Sequence, residues 1–151
     1  MVLRHWQKYG AVGLVVVLGL AGCSQSKVTQ CNQLTEQTNQ TVEAVQGIVQ
    51  ANATPNPEAL LQVAERFDQG KTDIETLQIN DPQLNTYRQQ FASMYAEVSS
   101  SARELASALE NQDFEAARPA RETFQTATSK EAELVEQVNT YCGAPTSTEQ
   151  P

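Results

Sequence analysis

Eight residues, Leu84, Tyr87, Phe91, Met94, Val98, Ser101, Leu105 and Ala108, follow one another at steps of 3, 4, 3, 4, 3, 4 and 3. An α-helix brings residues so spaced onto one side as a single narrow stripe, whereas a strand would scatter them over both faces. The stripe is almost wholly apolar, so the segment reads as a long helix with one buried side. It opens at Asp81-Pro82, a capping side chain followed by proline at the first helical position, where the missing N–H is not needed.

Three more segments read the same way. The second opens at Asn56-Pro57-Glu58 and carries Leu60, Val63, Phe67, Gly70, Ile74 and Leu77 on its stripe. The first spans about 28–51, with Cys31, Leu34, Val42, Val45, Ile48 and Val49 expected inward. It is rich in Thr, Gln and Asn, which are mediocre helix formers, so its helicity should lean on packing. The fourth spans about 114–142 through Ala117, Phe124, Ala127, Leu134, Val138 and Tyr141, with Asp113 as its cap. Pro119 is expected to kink this helix or split off its first turn. Thr128-Ser129-Lys130-Glu131 matches a capping box, so the helix is also expected to restart there. No segment alternates with period two, as a strand would. Four long helices joined by short turns imply an all-α fold, an up-down-up-down four-helix bundle.

Ahead of these segments lies a different pattern. Arg4 and Lys8 put positive charge at the front, and from residue 11 to residue 21 every side chain is apolar or glycine. The run is shorter than the roughly 20 apolar residues that cross a bilayer. It ends in Leu20-Ala21-Gly22-Cys23. Charged front, apolar run and this quartet resemble the signal peptide and lipobox of bacterial lipoproteins. The resemblance implies a diacylglycerol on the Cys23 sulfur, cleavage between Gly22 and Cys23, and stable membrane anchoring by two or three acyl chains. The alternative is an uncleaved membrane anchor whose cysteine is incidental. The division that follows is a signal peptide over 1–22, a lipid-anchored tether over 23–27, a helical domain over 28–142 and a disordered tail over 143–151. In lipobox, size and helical plan the chain is also similar to the small four-helix lipoproteins on the lumenal face of photosystem II in cyanobacteria. Its "VNTYC" ending fits better with other small bacterial lipoproteins.

Export of a lipoprotein places the chain outside the cytoplasm, where disulfides persist. Cys31 and Cys142 then remain, at the start of helix 1 and the end of helix 4, which an up-down-up-down bundle brings to one end. They are expected to form a disulfide that closes the bundle; the alternative is two free thiols. The step from Cys23 to Cys31 spans at most about 27 Å, so the closed end would sit near the lipid.

Cleavage would also remove His5, the only histidine, with Arg4 and Lys8, leaving eight basic against 18 acidic side chains. So acidic a surface argues against a nucleic-acid partner. Without histidine there is no Ser-His or Cys-His nucleophile pair and no Glu-x-x-His metal motif. No phosphate loop appears, and oxidised cysteines leave no thiolate for zinc or copper. Neither catalytic residues, nor a metal site, nor a cofactor is therefore expected. Carboxylates remain: Glu131, Glu133 and Glu136 on the fourth helix, and Glu65, Asp68, Asp73 and Glu75 on the second. Such runs are most simply solvated faces, and the first is a possible docking face for a basic partner. Lys71, Arg121, Thr128 and Glu131 lie on or beside the stripes; either they line an internal polar site or, more simply, they flank the core with their polar ends in water. Two functions compete. One is a non-catalytic interaction module, anchored to a membrane and touching an unidentified protein of a membrane or envelope complex. The other is a carrier holding a small apolar ligand beside the small residues Gly70, Ala108, Ala117 and Ala127.

Overall fold

Residues 26–52 and 56–143 are described by a computed structural model, and among them the chain forms four helices and no strand. They are α1 (Lys27–Ala51), α2 (Pro57–Thr76), α3 (Pro82–Glu110) and α4 (Phe114–Gly143). The signal segment, Gly22, Cys23 and the tail from residue 144 lie outside the described residues.

Each helix starts where a short polar side chain can take up the free N–H groups of the first turn. Ser26 accepts from Thr29 N–H at 3.2 Å, and Asn56 from Ala59 N–H at 2.8 Å. Asp81 accepts from both Gln83 and Leu84, and Asp113 accepts from Ala116 at 3.0 Å. Each such cap contributes about 1 kcal/mol.

The fourth helix runs unbroken through Pro119 and Thr128, so it neither splits at the proline nor restarts at the threonine, which corrects those two expectations. Pro119 removes one N–H from the ladder, but it and Glu115 are exposed, so the carbonyl that loses its partner faces water. Thr128 does not cap forward. Its hydroxyl donates back to the Phe124 and Gln125 carbonyls at 2.9 and 3.0 Å, the bond a helical threonine makes when the turn before it is intact.

All eight residues of the α3 stripe are buried. A second row, Ala92, Tyr95, Ser99, Ala102 and Ala106, is buried beside it. The face is broad because α3 packs extensively against both α2 and α4. The α1 helix packs mainly on α2 and touches α3 and α4 sparsely. Its inward face differs from the expected one. Cys31 and Leu34 are buried, but Thr38 and Thr41 follow them inside, while Val42 is half-buried and Val49 is 60% exposed. The threonine hydroxyls donate to Thr35 and Gln37 carbonyls of their own helix, so neither enters the interior unpaired.

The main core joins Leu34, Phe67, Ile74, Phe91, Tyr95 and Val98 with Leu134 and Val138. A smaller, alanine-rich cluster of Leu60, Leu105, Ala106, Ala108, Ala117 and Ala120 lies apart from it. Cys31 and Cys142 form a disulfide with their Cα atoms 5.9 Å apart, tying the start of α1 to the end of α4. Closing a loop of 111 residues stabilises by roughly 4 to 5 kcal/mol in the chain-entropy account.

Candidate functional site

The surroundings of the disulfide bring all four helices to one place. The buried Gln30 side chain accepts from the backbone N–H groups of Asn80 and Asp81, at 2.6 and 2.9 Å, in the link between α2 and α3. Asp81 caps α3 and also accepts from the Tyr141 hydroxyl of α4, at 3.0 and 3.1 Å to its two oxygens. Partial burial, and then this bond and the charge of Asp81, raise the Tyr141 pKa. The Lys27 ammonium of α1 lies 3.8 Å above the centre of the Tyr141 ring. The Tyr87 ring of α3 meets Tyr141 edge to face at 6.0 Å. Covalent, hydrogen-bonded and cation–π contacts thus converge beside Cys142.

A surface groove of about 430 Å³ runs alongside, lined by Tyr87, Glu133, Glu136, Gln137, Thr140 and Tyr141. Glu133 and Glu136 are exposed, and neither takes part in an ion pair among the described residues. Glu133 accepts only from Gln137, at 3.2 Å. The nearest lysine along α4, Lys130, is engaged by Glu97 across the α3–α4 seam at 2.5 Å.

Glu131 does not share this face. It is half-buried, and one carboxylate oxygen is enclosed without a hydrogen-bond partner. Burial raises its pKa. It lies close to Tyr95, a fully buried residue whose hydroxyl faces Thr41 yet makes no hydrogen bond of ordinary geometry. Burial and the nearby Glu131 charge push the Tyr95 hydroxyl well above the usual phenol range. The expected trio of Glu131, Glu133 and Glu136 therefore divides into one inward and two outward carboxylates. The spacing carried that signal: Ala127, Glu131, Leu134, Val138 and Tyr141 are separated by 4, 3, 4 and 3, whereas Glu133 and Glu136 fall on another row.

The other residues singled out by sequence are scattered. Lys71 pairs with Glu75 at 3.0 Å, and Arg103 with Asp68 at 2.7 Å, both near the surface. Asp73 accepts from Gln69 of its own helix and Gln37 of α1. Arg121 is exposed. Among the described residues no group of His, Cys, Asp and Glu is arranged to hold a metal ion, and no helix is long and apolar enough to cross a membrane. Sequence reasoning missed Gln30, whose role depends on a backbone link some 50 residues away. It took Asp81 only as a cap and Tyr141 only as core.

Comparison with protein families, with curated proteins and with solved structures finds no match to this chain.

Proposed function

We propose that this chain is a bacterial lipoprotein, anchored outside the cytoplasm through lipid on Cys23, that acts as a non-catalytic docking module for a protein of a membrane or envelope complex. In this reading the helices run up-down-up-down as a bundle. The successive packing of α1 on α2, α2 on α3 and α3 on α4 supports that order, as does the disulfide between the first helix and the last. The observation that carries the docking role is the pair of exposed, unpaired carboxylates Glu133 and Glu136 beside the tightly cross-linked end. A rigid, acidic surface held at a short tether steers a basic partner and costs little ordering entropy when it binds. The carrier reading finds less support. The space beside Gly70 is filled by Thr41, 2.6 Å from where a Cβ would stand, and the small residues Ala108 and Ala117 are buried within a single packed cluster.

The test is a crosslinking pull-down from native membranes, at low and at moderate salt, with the wild type and with Glu133→Lys/Glu136→Lys. Loss of the captured partner in the charge-reversed protein, with helicity and melting unchanged, supports the docking face. Capture equal in both proteins removes these carboxylates from the reading.

A further inference from the structure

Exposed carboxylates alone make a solvated face; what distinguishes Glu133 and Glu136 is the aromatic wall they share a groove with. Tyr87 and Tyr141 meet edge to face at 6.0 Å, and both line the groove between the carboxylates and the disulfide end. The Tyr141 ring already attracts an ammonium group of its own chain, Lys27, at 3.8 Å from its centre. Lys27 forms no ion pair with Glu133 or Glu136 among the described residues and is not part of the groove lining. The Tyr141 hydroxyl is held by Asp81, which fixes the ring and adds a third carboxylate to the same end.

Resting on the docking role proposed above, we infer that the groove of Tyr87, Glu133, Glu136, Gln137, Thr140 and Tyr141 receives a lysine or arginine side chain from a basic segment of a protein partner. The chemistry on each wall matches such a group. An alkyl stem and a flat or compact cation lie well on tyrosine rings, and the cationic end donates charge-assisted hydrogen bonds to two carboxylates that have no ion-pair partner among the described residues. Gln137 holds one of them, Glu133, in place through its amide. Arginine fits better than lysine, because its planar fork stacks on a ring and addresses two acceptors at once. An anionic lipid surface is repelled by the same carboxylates, so charge complementarity favours a basic protein segment as the occupant.

The experiment titrates the detergent-solubilised full-length protein with arginine amide and with a short arginine–glycine peptide, following the ring protons of Tyr87 and Tyr141 by NMR. Saturable shifts are expected with both, absent with sodium chloride of equal ionic strength. Affinity should fall about tenfold in Glu133→Gln/Glu136→Gln and in Tyr141→Leu, and persist in Tyr141→Phe, which keeps the ring. Gln137→Lys leaves both tyrosines in place and puts a cation in the groove; it should abolish the shifts even if Tyr141→Leu fails to fold. Shifts unaffected by Gln137→Lys overturn the inference. So do larger shifts of the same Tyr87 and Tyr141 ring protons with free phosphocholine than with the peptide, lost in Gln137→Lys, which would assign the groove to a lipid headgroup. A partner captured by the wild type, lost by Glu133→Lys/Glu136→Lys but kept by Gln137→Lys, removes the groove and leaves the docking role standing. Absence of any captured partner removes the docking role itself.

Discussion

Glu131 carries an ionisable group into a seam where no cation awaits it, and its buried oxygen has no donor. Its pKa is raised by burial, so the folded chain holds this proton more tightly than the unfolded chain. Stability from it is full below the unfolded carboxylate range, near 4.5, and falls as pH climbs through the raised value. Glu131→Gln should therefore be more stable than the wild type at pH 7.5 and nearly equal to it at pH 4.5. Urea melts at the two pH values decide this; the same difference at both would show that ionisation is not involved. Gly70 poses a steric question instead. It is helical with an ordinary negative φ, so space rather than backbone freedom keeps it glycine. A Cβ there would lie 2.6 and 2.7 Å from the two branches of Thr41, a fully buried side chain with few rotamers, so turning one branch away brings the other in. Overpacking of about 1–3 kcal/mol opposes a helix-propensity gain of about 1, and Gly70→Ala should lose about 1 kcal/mol net. Thr41→Ala/Gly70→Ala should recover part of it; an additive double-mutant cycle would refute the contact.

The elements are joined by short links, and the one between α3 and α4 is under strain. Gln112 adopts φ 56°, the left-handed region, at the position where helix ends favour glycine. Its N–H reaches the Leu109 carbonyl and the next, that of Asp113, reaches Ala108, so the last turn of α3 is fully closed. Asp113 then caps α4 without an intervening residue. The glutamine stays left-handed because both neighbouring helices hold it, at a cost of about 1 kcal/mol. Gln112→Gly should raise the melting temperature by about 4 °C in calorimetry, and a decrease would mean that the glutamine makes a compensating contact. The helices differ in how readily they could be read. The α3 stripe and three caps followed from spacing and side-chain type alone. The α1 face did not, because Thr38 and Thr41 continue the 3-4 rhythm with polar residues, and only their bonds to their own helix make burial tolerable. The expected breaks in α4 failed for a related reason: Thr128 had a choice of partners, and the preceding turn won.

For the whole molecule the decisive link is between ends. The disulfide, the Gln30 contact to the α2–α3 link and the Asp81–Tyr141 bond join all four helices at one place. If the proposed anchor is present, that place lies within a short tether of the membrane. Replacing Cys23 with serine should abolish labelling by a fatty-acid analogue and leave unprocessed precursor in the membrane fraction. Equal labelling of the variant would end the lipoprotein reading, while the fold and the groove would stand.

Periodicity and capping, which depend on residues within a turn or two, were enough to define four helices and most of their boundaries; the pairing of Cys31 with Cys142 needed in addition the lipobox resemblance, which set Cys23 aside, and the expected bundle topology. Contacts between distant segments were not. Whether a carboxylate on α4 faces water or Tyr95, which side chain fills the space beside Gly70, and how Tyr87, Tyr141 and two glutamates come to share a groove depend on how helices from separate parts of the chain rotate and pack. Local sequence sets which residues share a face; only packing decides what that face meets.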